Sequence, residues 1–411
     1  MKEMVNYTLA SGCRLCEGTY VNKILNLKDT PPGDLYRKSI NESNFESVPS
    51  WIGYCSDCGH IQMCASVDPR LLYSSYLSRP AATNSVLSDL YKQYADEVAR
   101  LAEGGKVLEI GSNDGLFLQA LERLGVEAYG IEPAFNLHDH AVRQRGVRSI
   151  NAFFSRDTLV EYDLAELSLI FANHSVSNIE DIRGLASGVA QSLKPDGVFI
   201  IQTFYQIDVF EKFLIENYNH EHLSYFSVKS ISKLFTSFGL KLFKVRYIDA
   251  KGGSIRCYFR KSLKNCNLDP ESNSIVQREI EHFNDIYVHA NKTSNYISDR
   301  VQTLRKLLSG FEQNRVCAYG TSIGATVFLY QFELIDCIST LLDDDPIRQG
   351  LFSPGLGLPV RPGESLNRSN FDVCLITAPL YADSIMQKHS QFLANGGQFI
   401  KFYPYIEVIG R

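Results

Sequence analysis

Three short stretches hold residues whose types and spacing could do chemistry. The first, "YNHEHLSYFS" from Tyr218 to Ser227, sets two imidazoles and a carboxylate side by side at His220, Glu221 and His222. Histidine titrates near neutrality, so the segment suits proton transfer; a metal site and a solvated loop are the competing readings. Neither a cysteine nor a second histidine pair is near it in sequence, which argues against a metal. The second feature is a pair of knuckles, "CRLC" (Cys13, Cys16) and "CSDC" (Cys55, Cys58), with 38 residues between them. Four thiolates in two Cys-x-x-Cys units suit tetrahedral zinc. With no base or open coordination position nearby, the ion is expected to be structural. Gly59, directly after the second knuckle, fits its tight turn.

The third stretch is "VLEIGSNDGLFL", which reads as a strand, a glycine-rich turn and the start of an amphipathic helix. A dinucleotide turn carries Gly-x-Gly-x-x-Gly to admit a pyrophosphate. This one has only Gly111 and Gly115 and adds acidic Glu109 and Asp114. Carboxylates disfavour phosphates and suit a cation such as S-adenosylmethionine, which carries a sulfonium and an amino group. The next strand, "EAYGIEP", ends at Glu132, about where an acidic residue meets the ribose hydroxyls in doubly wound folds. The expected cofactor set is Glu109, Gly111, Asn113, Gly115, Glu132 and Asn173.

These residues need elements to hold them. The chain has 411 residues, 45% hydrophobic and 21% charged, with a net charge of −5. Two or three domains are expected at that length. No basic run suggests a nucleic-acid track, no apolar stretch reaches a membrane span, and the reading is a cytoplasmic protein. Oligomeric state is not legible. Cys64 is out of register with the knuckles, and it and the other cysteines outside them are expected in the core. From Lys106 strands and helices alternate, through "LSLIFAN" and "GVFIIQTF" after an "LKPDG" turn, to a closing antiparallel pair in "LKLFKVRYID" and "SIRCYFRK". After a long helical connection, "RVCAYGTSIGATVFLYQF" opens a second Rossmann-like layer whose dinucleotide fingerprint is incomplete. The expected architecture is α/β: a small zinc-binding domain (1–79), a class I, Rossmann-like methyltransferase domain (80–262) and a C-terminal Rossmann-like domain (263–411).

The combination "CRLC…CSDCGHIQ", "EIGSNDG", "GIEPA", "HEHLSYFS" and "GGSIR" resembles the three-domain sugar C-methyltransferase family, nearly end to end. The resemblance implies methyl transfer to a ring carbon of a nucleotide-linked deoxy-keto-sugar, with the C-terminal domain helping to hold the nucleotide-sugar. It places the family's Glu-His pair on Glu221 and His222, with His222 as the base. It also lays the linker "LYSSYLSRPAATNS" over the active site, making Tyr76 a substrate contact and Arg79 a possible partner of the diphosphate. Two departures stand out. Asn219 occupies a place where the family commonly has tyrosine, and "ANHSVSNIED" puts Asn178 where it commonly has histidine, with a histidine moved to His174. Asn178, Asn219 and His174 are therefore candidate substrate contacts that point to an altered substrate or reaction. An O- or N-methyltransferase, or a cofactor-binding protein with weakened catalysis, are the alternatives those changes leave open.

Overall fold

The computed structural model describes residues 3–74, 76–77, 85–261, 268–283 and 286–410. Arg79, Cys266 and the two expected domain boundaries lie outside the described residues. The largest sheet has seven strands: β1 (Val107–Ile110), β2 (Ala128–Ile131), β3 (Arg148–Ile150), β4 (Leu167–Asn173), β5 (Leu193–Phe204), β6 (Lys241–Ile248) and β7 (Ser254–Arg260). Their order is β6-β7-β5-β4-β1-β2-β3. All neighbours are parallel except β7, which is antiparallel to both β5 and β6. Parallel strands are covered on both faces and so read as apolar runs, and every residue of β1 is buried. The helix after it, Leu116–Arg123, buries Phe117, Leu118 and Leu121 on one face. The strand order reverses between β1 and β4, which leaves a crevice at their carboxyl ends, where ligands bind in such folds. The "LKPDG" turn falls within the range of β5, as a break in its pairing with β4 between Leu193 and Val198.

The zinc-knuckle region forms an antiparallel sheet of Val21–Asn26, Trp51–Cys55 and Ile61–Met63. Its fourth strand is Ser224–Tyr225, from the HEH stretch, paired with Gln62 and Ile61. His60 Nε2 lies 3.2 Å from Ser224 Oγ, and the Met63 amide donates to the Leu223 carbonyl at 3.1 Å. The knuckle sheet therefore holds the candidate catalytic segment in place.

The C-terminal sheet has the order Val360–Pro362, Thr340–Asp343, Val316–Tyr319, Val373–Ile376, Gln398–Lys401, Glu407–Ile409, parallel but for the last pair. Helices Pro270–Phe283 and Ile286–Leu308 lead into it. Its glycine turn offers no phosphate cradle. The Asp343 carboxylate already takes the Thr321 amide at 2.9 Å, and Gly324, in the helix after the turn, packs so closely on Glu216 that a Cβ there would come within 2.8 Å. One apolar cluster runs through all three regions, joining Ile61 and Met63 to Phe210 and Tyr218 and on to Leu304 and Phe328. Cys64, Cys257, Cys317 and Cys374 are buried as expected, but Cys337 is only half-buried. The strand there starts at Thr340, which leaves Cys337 in the preceding turn beside Asp336.

Candidate active site

The four knuckle thiols converge. Cys13 Sγ and Cys58 Sγ lie 3.6 Å apart, Cys16 and Cys55 Sγ 3.6 Å, and all four within 4.8 Å of one another. Zinc–sulfur bonds of about 2.3 Å put tetrahedral edges at about 3.8 Å, so the site fits the ion. Gly59 makes the turn at φ 75°.

The crevice at the end of β1 opens into a cavity of about 1370 Å³. Glu109, Gly111, Asn113, Glu132 and Asn173 line one part of it; Tyr73, Tyr76, His174, Asn178, His220 and Lys251 also line it. In the first group Glu109 is buried, with Oε1 accepting from Asn173 Nδ2 at 3.2 Å and Oε2 unpartnered among the described residues. Burial pushes its carboxyl up to about 8; the Asn173 amide opposes this, while Glu132 and Asp114 add to it. Glu132 is held rigidly, its two oxygens accepting from the Asn113 and Ala134 amides at 2.9 Å each. A carboxylate retains lone pairs beyond those bonds for a ribose hydroxyl. Asp114 lines the cavity too and adds to the negative field at Glu109, but its carboxylate is ion-paired with Arg145 at 2.6 Å. Arg145 was not singled out in sequence, since 30 residues separate the two. Gly115 does not line the cavity: at φ 76° it starts the helix and packs against Ala141 and Val147. A buried, unpartnered carboxylate beside a second one fits a cationic cofactor.

That charge sets a pH dependence. A buried acid with a raised pKa favours the folded state below the ordinary carboxyl range, and the benefit is lost as pH rises through about 8. Without cofactor, the protein should lose thermal stability from pH 6 to 8.5, and the melting increment given by S-adenosylmethionine should grow over the same interval. Glu109→Gln should flatten that growth. An increment constant with pH in the wild type would count against a cation paired with Glu109.

In the second group the HEH side chains diverge. His220 lines the cavity, but its Nε2 is tied to Ser50 Oγ at 3.1 Å and the Pro49 carbonyl at 3.2 Å, fastening it to the knuckle region. Glu221 and His222 are not in the cavity wall. Glu221 is buried; its Oε2 accepts from Tyr76 Oη at 2.9 Å, and its carboxyl is pushed up to about 8 by burial and by Asp34. It therefore orients a cavity tyrosine rather than a histidine. His222 Nδ1 lies 3.0 Å from the Asn217 carbonyl, which can only accept, and 3.2 Å from Asn219 Nδ2, which can donate; the shorter contact to the carbonyl favours the proton on Nδ1 and the lone pair on Nε2. Burial lowers its pKa to about 4, so the ring is neutral at pH 7. Asn219 turns inward, away from the cavity: Nδ2 donates to the Glu216 carbonyl at 3.0 Å and Oδ1 accepts the Glu221 amide at 3.0 Å. It shapes the turn that presents His222.

His174 and His222 both pack on Phe204, with ring centroids 4.9 and 4.6 Å away. Lys251 stands over the same ring at 5.9 Å. Asn178 Nδ2 donates to Tyr73 Oη at 3.1 Å. Tyr73, Lys251 and the buried Asp34–Arg348 pair at 2.9 Å, which joins the knuckle region to the C-terminal layer, were all missed in sequence. Each depends on a contact between distant segments and has no local signature.

Comparison with known proteins bears on the whole chain. Three family profiles match in succession: a zinc binding domain at residues 13–73, a methyltransferase domain at 86–245 and a C-methyltransferase C-terminal domain at 249–404. The chain belongs to the three-domain C-methyltransferase family. Like the family, it is an S-adenosylmethionine-dependent methyltransferase with a zinc site. A curated relative, the C-methyltransferase NovU of Streptomyces niveus, is 27% identical over 97% of this chain and 96% of its own length. Among solved structures, the CcbJ methyltransferase of Streptomyces caelestis is 16% identical over 42% of this chain and 90% of its own, at a TM-score of 0.35. The PH0226 protein of Pyrococcus horikoshii OT3 is 14% identical over 44% of this chain and 93% of its own, at a TM-score of 0.37. Among the described residues, no helix is long and apolar enough to cross a membrane.

Proposed function

We propose that this C-methyltransferase acts on a nucleotide-linked deoxy-keto-sugar, methylating the ring carbon next to its ketone. The supporting observation is the neutral imidazole of His222, packed on Phe204 behind the wall, the same ring that His174 and Lys251 of the wall pack against. Methylation at that carbon requires loss of its proton, and the electron pair then moves onto the ketone oxygen as an enolate. His222 Nε2 accepts the proton. The Lys251 ammonium favours charge developing on the oxygen. Tyr76, held by Glu221, offers a hydroxyl to the sugar. S-adenosylmethionine supplies the electrophilic methyl group, and Glu109, Asn113, Glu132 and Asn173 would hold it. The 1–79, 80–262 and 263–411 regions meet around this cavity, and the C-terminal region contributes Leu380 and Tyr381 to its wall. We assign that region to holding the nucleotide-sugar.

The test is deuterium exchange followed by NMR, in deuterated buffer with S-adenosylhomocysteine and a panel of nucleotide-linked keto-deoxy-sugars. Wash-in of deuterium beside the ketone is expected, and it identifies the carbon attacked. Cofactor binding without exchange from any panel member would move the reading to methylation of oxygen or nitrogen.

A further inference from the structure

His174 is anchored through a chain of donors and acceptors that leaves its tautomer no choice. Arginine only donates. Arg256 Nε and Nη2 both point at Gln202 Oε1, at 2.9 and 2.7 Å, which fixes that atom as the oxygen of the amide. The other atom of the Gln202 amide is therefore the NH2 group, and it lies 3.2 Å from His174 Nε2. An NH2 group donates, so Nε2 must hold the lone pair and Nδ1 the proton. Glu97 holds Arg256 in turn, at 3.2 Å.

The proton on Nδ1 has no use within the fold. Nδ1 is buried and has no partner among the described residues, although the residue lines the cavity. Unpaired buried donors are costly and rare, and persist where a ligand completes them. His174 also sits in the left-handed region at φ 56°, at the end of β4, with its own amide donating to the Gln202 carbonyl at 2.7 Å. Strained backbone and an orphaned donor at one residue mark a site maintained for function. The ring stays neutral, because burial and the nearby charges of Lys251 and Arg256 disfavour a second proton.

We infer that His174 Nδ1–H is the hydrogen-bond donor to the ketone and enolate oxygen of the substrate, and that Gln202 and Arg256 are positioning residues that hold it in the donor tautomer. The inference rests on the carbonyl-activating reading given above. It assigns the two imidazoles on Phe204 opposite tasks: His222 Nε2 takes the proton from carbon, and His174 Nδ1 keeps its proton and shares it with oxygen. Asn178, which donates to Tyr73, need not take the donor role itself.

Gln202→Glu tests this with little change of shape. A carboxylate at 202 still accepts from Arg256 but can no longer donate, so His174 must put its proton on Nε2 and turn a lone pair toward the substrate. Histidine-selective 15N NMR of the full chain with S-adenosylhomocysteine, assigned through the signal lost in His174→Asn, reports the tautomer directly. The expected result is protonated Nδ1 in the wild type and protonated Nε2 in Gln202→Glu. Exchange beside the ketone should fall about 10²- to 10³-fold in Gln202→Glu, as for loss of one oxyanion donor. His174→Asn, whose amide nitrogen overlays Nδ1, should stay within about tenfold of wild type, above the Gln202→Glu rate. Protonated Nε2 in the wild type, or a tautomer flip that leaves exchange unchanged, overturns the inference and leaves the ketone reading standing. No exchange in the wild type with any panel member overturns both.

Discussion

Replacing His222 by asparagine is expected to lower turnover by about three orders of magnitude, the middle of the range for loss of a general base, with S-adenosylmethionine affinity nearly unchanged. Asparagine is the informative substitution because its amide nitrogen overlays Nδ1. The hydrogen bond to the Asn217 carbonyl, 3.0 Å in the native protein, is retained while Nε2 is removed. A loss of turnover then reports the base and not the loop. The same side chain predicts an unusual pH profile. With its pKa lowered to about 4 by burial, His222 is already deprotonated far below the usual imidazole range, so kcat/KM should rise through about pH 4 and show no limb near 6.5 from this residue. A His222→Asn variant that kept most of its activity would remove the base from this residue. Steady-state kinetics beside cofactor titration by calorimetry measures both halves of the prediction.

Loss of the zinc should have the other large effect. Cys55→Ser removes one of four ligands whose sulfurs lie within 4.8 Å of one another, and Cys55 is fully buried. Structural zinc contributes about 10–16 kcal/mol in small zinc-folded peptides, as much as the whole stability of an ordinary domain. The consequence reaches beyond the knuckles. Ser224–Tyr225 is a strand of the sheet those knuckles brace, and it begins two residues after His222. Cys55→Ser is therefore expected to be poorly soluble, to lack zinc by elemental analysis, and to melt at least 10 °C below wild type, on the order of a loss of several kcal/mol. Soluble metal-free protein with native melting temperature and turnover would show that the ion holds nothing in place.

Much of this molecule is legible along the chain because the signals are local. The two knuckles declare themselves by spacing, since Cys-x-x-Cys places both thiols on one turn whatever surrounds them. The run from Val107 to Gly115 shows its strand and turn, because a strand covered on both faces must be apolar and the turn needs positive φ at Gly111 and Gly115. Glu109 and Glu132 follow from that unit, as one lies in the last two residues of its strand and the other directly after its own, at the carboxyl ends of the sheet. The HEH stretch announced its chemistry, but which member does what was decided by distant partners. Glu221 went to Tyr76, 145 residues away, and His220 to Ser50, 170 away. Half of the expected acidic pair of Glu109 and Asp114 is taken up inside the fold, because Asp114 is ion-paired with Arg145. Asn219 reads in sequence as a candidate substrate contact, but its amide is bonded to Glu216 and to its own turn. Residue type and spacing determined the four-cysteine cluster, the glycine turn after β1 and the layering of strand and helix, because these obey short-range geometry. Tautomers, ion pairs and the wall of the cavity were decided only by the tertiary structure, because a buried polar group must find its partner wherever packing brings one.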